Sequence, residues 1–182
     1  MCIRDRSNLG DAYKRNELEK SSGLGIYALS AVVVDRAEPA EALKANIAWS
    51  AGLDNPIRLV SSLQVKNFRK GKTMQGEEDV KAEKGAYLLN AEISLSAKAE
   101  KEWMIVADVN KNHSAVAKIS DAIRNNANIV KEVNEDIEHG TTNLIELNAG
   151  ADALQFSADK FRDTRHFSNT LFNIMRGGSP LS

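Results

Sequence analysis

Up to about residue 109, apolar and polar residues alternate in short runs, at the two-residue period of half-buried strands. Gly25–Val34 (GIYALSAVVV) is β-branched and aromatic, and Leu43–Ser50 sets Leu43, Ala45, Ile47 and Trp49 against polar neighbours. Ile57–Val65, Ala86–Leu95 and Glu102–Val109 continue the pattern, with Tyr87, Leu89, Ala91, Ile93 and Leu95 on one face. Turn-forming residues separate the runs at Glu38-Pro39, Gly52–Pro56 and Ser96–Lys101. Strands joined by short turns without intervening helices predict antiparallel sheets, most simply a β-sandwich. Trp49 and Trp103, each in an alternating run, are expected in its core, the alternative being exposed rings that stack on sugars. The long connection Phe68–Lys84, charged and containing Gly71 and Gly76, predicts a loop that is either functional or disordered.

Beyond Val109 the period becomes helical. Asn112 or Ser114 is placed to cap a helix reaching about Arg124, with Val116, Ile119 and Ile123 on its inner face. A second is predicted from Ala127 to His139 through Ile129, Val130, Val133 and Ile137, stopped by Gly140. Thr141 or Thr142 would cap a third through Leu144, Leu147, Ala151 and Leu154, continuing towards Asp159. The last helix, Arg162–Gly178 (RDTRHFSNTLFNIMRGG), carries Arg162, Arg165, His166, Asn169, Asn173 and Arg176 in one stripe and Phe167, Leu171, Ile174 and Met175 in another, with Gly177 and Gly178 ending it. Asn and His are indifferent helix formers that offer both donors and acceptors. Arg165, His166, Asn169, Asn173 and Arg176 are therefore candidate contacts for a substrate or an anion, with a plain solvated face as the simpler alternative.

Composition narrows the class without naming a chemistry. The 182 residues balance 24 Lys and Arg against 25 Asp and Glu, so no basic face points to nucleic acid. No apolar run approaches the roughly 18 residues of a membrane span. The single cysteine, Cys2, leaves no internal disulfide and no thiolate metal site, which fits a reducing, cytoplasmic setting. Met1–Arg6 (MCIRDR) reads as an adapter-derived leader outside the fold, and Ser179–Ser182 as a similar tail, so the chain is expected to be an internal piece of a longer protein.

Three constellations carry residue types that could support chemistry. Asp108, Asn110 and His113 in DVNKNHS offer too few ligands at the wrong spacing for calcium or zinc, and read better as a capped strand-to-helix junction. His139, in a last helical turn before Gly140, suits the helix dipole. Gly23-Leu24-Gly25 precedes a strand and lacks the remainder of a dinucleotide fingerprint. Neither cofactor nor metal is expected, and no catalytic residue is assigned.

The order of a sheet-rich region ending in GAYLLNAEISLSAKAEKEWMIVADVN (Gly85–Asn110), a helical connector and RHFSNTLFNIMRGG resembles part of large bacterial cellobiose phosphorylase-like proteins of the six-hairpin glycosidase group. The resemblance implies an incomplete, supersandwich-like antiparallel β-sandwich over residues 7–109, a helical linker over 110–159 and the first helix of a truncated α/α toroid over 160–182. It implies carbohydrate as partner, with phosphate as a second one. Glycoside hydrolysis needs two carboxyl groups across the bond, and inverting phosphorolysis replaces one with phosphate. No Asp or Glu here matches such a motif, so the chain alone is expected to be inactive, supporting a toroid that lies downstream. The alternative is a free-standing sandwich with a helical tail, serving as a carbohydrate-binding or protein-interaction module.

Overall fold

The computed structural model describes residues 10–30 and 43–177. The leader Met1–Arg6, the far end of the first run at Val34, the Glu38-Pro39 turn and residues Gly178–Ser182 lie outside the described residues. The elements are β1 (Lys14–Glu19), β2 (Leu24–Leu29), β3 (Lys44–Ala51), β4 (Ile57–Ser61), α1 (Val65–Phe68), β5 (Asp79–Lys81), β6 (Gly85–Asn90), β7 (Met104–Asn112), α2 (His113–Asn125), α3 (Ile129–Gly150) and α4 (Lys160–Gly177). Among the described residues every pairing is antiparallel, in a five-stranded sheet ordered β5-β1-β2-β3-β7 and a two-stranded sheet β4-β6. Sheets followed by helices is the order that the change of period predicts. The chain divides into two compact units, Met1–Ala127 and Asn128–Ser182.

In the first unit, register sorts residues to the two faces of the larger sheet. Tyr27 pairs with Asn16 on one side and Asn46 on the other, and Gly25 with Leu18 and Ala48, so these residues share one face. The alternate residues Leu24, Ile26, Ala28, Ala45 and Ile47 form the opposite face. Leu24, Ile47 and Trp49 are buried there. Helix α2 packs on that side: Ser120 Oγ donates to Glu19 Oε2 at 3.1 Å and lies 3.3 Å from Ser22 Oγ. Asn112 caps the helix by accepting from the Ala115 amide at 2.9 Å.

The smaller sheet lies over the other face. Tyr87 of β6 donates its hydroxyl to the Gly23 carbonyl at 2.7 Å and sits 3.3 Å from Ser50 Oγ of β3. Gly85 makes this approach possible, because a Cβ there would collide with the Tyr27 ring. Gly23, at φ +72°, has the Arg58 guanidinium where its side chain would be.

The 68–84 connection is ordered around a buried carboxylate. Glu77 Oε2 accepts from the amides of Val60 and Ser61 at 3.0 and 2.8 Å, where the β4–β6 register shifts and those groups lose a strand partner. Gln64 locks the same segment, donating to Glu77 Oε1 at 2.9 Å and to the Gln75 carbonyl at 2.8 Å. The chain then bridges the sheets: the Glu77 amide donates to Arg58 O at 3.1 Å, and Glu78 O accepts from the Leu18 amide at 2.8 Å. Part of the expected loop is thus the edge strand β5.

Other expectations are corrected. The expected strand over Ile57–Val65 stops at Ser61, and Val65 begins α1; β6 stops at Asn90, leaving Ile93 and Leu95 exposed. Trp49 is core as expected, whereas Trp103 precedes β7 and is 52% exposed. β1, with its polar sequence KRNELE, was not foreseen.

In the second unit, α3 runs unbroken through Gly140, and the predicted pair of helices is one. Thr141 and Thr142 donate to the carbonyls of Ile137 and Glu138 one turn back, which keeps them inside the helix instead of capping a new one. A mid-helix glycine costs only about 1 kcal/mol relative to alanine, so it does not stop a helix by itself. Termination comes at Gly150, through Asp152 in the left-handed region at φ +54°. The Asp152 amide donates to Ala149 O at 3.1 Å and the Ala153 amide to Asn148 O at 2.9 Å, the paired bonds of a Schellman turn. Helix α4 then starts from a side-chain cap: Asp159 Oδ1 accepts from the Phe161 amide at 3.0 Å. Asp163 accepts from the Ser157 amide and hydroxyl at 2.9 and 2.7 Å, and these bonds hold its carboxyl below its usual range.

Candidate functional site

The stripe predicted from the sequence lies along α4. Arg165, Asn169, Asn173 and Arg176 recur at helical spacing on one face and are exposed. Arg165, Asn169 and Asn173 have no hydrogen-bond or ion-pair partner among the described residues. His166, at the edge of the stripe, is half-buried and its Nε2 donates to the Asp152 carbonyl at 2.9 Å. That bond fixes the Nε2–H tautomer and ties α4 to the turn that ends α3. Sequence reasoning missed Phe172. It falls beside Arg165 and Arg176 on the helix surface, is 57% exposed, and has the Arg176 guanidinium 5.6 Å from its ring centre. On the other flank Phe167, Leu171 and Ile174 are half-buried and Met175 is exposed. The polar stripe thus combines guanidinium, amide and an open aromatic ring, the three group types that bind sugar hydroxyls, anionic oxygens and sugar ring faces.

A second constellation was not visible in the sequence. Where β6 covers only part of the larger sheet, it leaves a groove of about 680 Å³. Its floor carries Asn16, Tyr27 and Asn46 side by side on β1, β2 and β3, with Lys14 and Lys44 towards one end and Tyr87 in the wall. The Tyr27 hydroxyl is buried and has no hydrogen-bond partner among the described residues; burial pushes its ionisation well above the ordinary phenol range, so it stays neutral. Asn16 spends its Nδ2 on the Glu83 carbonyl at 3.0 Å, and Asn46 its Oδ1 on the Asn110 amide at 3.2 Å.

A cleft of about 460 Å³ beside α2 is mainly apolar, and its two carboxylates are already engaged. Glu17 pairs with Arg15 at 2.8 Å. Glu19 accepts from Ser21 and Ser22, amides and hydroxyls both, besides Ser120; the Ser21 and Ser22 hydroxyls lead in lowering its pKa to about 2. Neither is placed as an acid and base pair across a substrate. Asp108 accepts from the Val109 amide at 2.7 Å and pairs with Lys111 at 2.6 Å, whose hydrogen bond lowers its pKa. Asn110 sits at φ +62°, and His113 is the first residue of α2, so DVNKNHS serves the strand-to-helix junction. Among the described residues, no three of His, Cys, Asp and Glu converge on a metal position. No family model matches the chain, and no curated protein is significantly similar to it.

Proposed function

We propose that the chain is a non-catalytic part of a carbohydrate-active protein of the cellobiose phosphorylase-like kind. In this reading the two facing sheets are the end of an open supersandwich, α3 belongs to the connector, and α4 is an opening helix of an α/α toroid that performs the glycosidic chemistry. The stripe on α4 is the observation that supports it: Arg165, Asn169 and Asn173 are exposed and unengaged beside the open Phe172 ring, while His166 fixes the helix from one edge. Such groups, presented on a rigid helix, are suited to a polyhydroxyl or phosphate ligand approaching from further protein.

The test compares this 182-residue chain with the product of the uninterrupted gene. Both are incubated with disaccharides and aryl glycosides, with and without phosphate, and released sugar and sugar phosphate are measured. The short chain is expected to be inert and the long product active. Turnover that follows the purified short chain and vanishes on changing one of its carboxylates would overturn the non-catalytic assignment. A long product that neither cleaves nor binds any glycoside would overturn the carbohydrate assignment.

A further inference from the structure

We propose that the groove on the larger sheet is a separate binding site for an oligosaccharide bearing a carboxylate, of the uronic acid type. Asn16, Tyr27 and Asn46 are cross-strand partners, so an aromatic ring lies between two carboxamides in a single row. Strands are about 4.8 Å apart, which sets the two amides roughly 10 Å from each other, about the length of two sugar rings. Their internal bonds leave complementary atoms: the Oδ1 acceptor of Asn16 and the Nδ2 donors of Asn46. A sugar hydroxyl, both donor and acceptor, can satisfy either end, although Asn16 is only 2% exposed and is reached at the margin of β6; Tyr27, half-buried with Gly85 packed on its ring, adds the apolar edge that β6 leaves uncovered.

Charge makes the ligand acidic. Two residues along the strands, roughly 7 Å from the first row, come Lys14 and Lys44. Lys14 is paired with Asp11 at 2.5 Å, and Asp108, which also borders the groove, is paired with Lys111 at 2.6 Å. Lys44, exposed at the rim, has no such partner among the described residues, so it supplies the cation that a carboxylate on a neighbouring sugar would meet.

Titration calorimetry on the whole chain, with trigalacturonate, cellotriose and inorganic phosphate as probes, tests the site. Trigalacturonate should bind at least ten-fold more tightly than cellotriose, and phosphate should give no heat. Lys44→Ala should remove most of that ten-fold preference, whereas Lys66→Ala, an exposed cation on α1 outside the groove lining, should leave affinity unchanged. Equal affinity for the acidic and neutral trisaccharides, binding of phosphate alone, an unaltered Lys44→Ala variant, or no binding at all would each overturn the proposal. None of these results touches the role of α4, which the activity of the long gene product decides.

Discussion

His166 and Arg165 are neighbours in the same stripe, yet their surroundings set them different tasks. The imidazole donates to a backbone carbonyl at the end of α3, while the guanidinium of Arg165 is exposed and unengaged. An intramolecular hydrogen bond contributes about 1 kcal/mol net, so His166→Ala should lower the stability of this chain by about that much in urea unfolding. Arg165→Ala should stay within about 0.5 kcal/mol, as surface substitutions do. Arg176→Ala loses only an exposed contact with Phe172, also worth about 0.5 kcal/mol. If the toroid reading holds, both arginines find partners in the long gene product, where each charge-assisted bond is worth roughly 1.5 to 3 kcal/mol. Matched unfolding curves on the two proteins check the contrast. Equal, negligible effects of Arg165→Ala and Arg176→Ala in both would return the stripe to an ordinary solvated face.

At the scale of elements, local pattern announced the strands that bury an apolar face and stayed silent about those built from polar residues. β3 buries Ala45, Ile47 and Trp49 as its alternation predicts, whereas β1 (KRNELE) and β5 (DVK) exist because their backbones hydrogen-bond to neighbouring strands, β1 on both sides and β5 at the edge, which no hydrophobic period records. Glu77 belongs with them. It looks like one more charge in a polar loop, but its carboxylate replaces a missing strand by accepting two buried amides of β4. Removing it as Glu77→Ala leaves the Val60 and Ser61 amides unsatisfied, at about 1 to 3 kcal/mol for each buried group. We expect a loss of about 2 to 4 kcal/mol in chemical unfolding, with Glu77→Gln clearly milder because one side-chain oxygen can still accept; equal losses would mean that the segment is held by something else. The same blindness hid the groove, since Asn16, Tyr27 and Asn46 come together only through a register set across three strands. Conversely, Gly140 carried a strong stop signal that the continuous α3 ignores, because nothing beyond it supplies the left-handed turn found at Asp152.

On the scale of the whole sheet unit, one carboxylate joins its layers. Glu19 closes the β1–β2 turn through Ser21 and Ser22 and holds α2 through Ser120, so the covering of the sheet by the helix depends on its ionisation. Its pKa is about 2 in the folded chain against 4.5 for the free side chain, lowered chiefly by the Ser21 and Ser22 hydroxyls. Between those values the unfolded chain binds more protons than the folded one, so stability rises with pH through the window. The contribution of Glu19 is complete above about pH 4.5 and drains away as pH falls towards 2. Solvent around this partly exposed group weakens the effect, and Asp11, Asp108 and Asp163 titrate in the same direction, so the informative quantity is a difference between variants. Glu19→Gln should be less stable than the parent chain at neutral pH, and the gap should close on acidification from pH 5 to pH 2. Trp49, buried on the face that α2 covers, reports the event once the exposed Trp103 is replaced by Phe: its emission should shift to the red as pH falls from 5 to 2, with a shallower pH dependence in Glu19→Gln than in the parent. A gap between the two proteins that stays constant from pH 5 to pH 2 would show that Glu19 holds the helix by shape and not by charge.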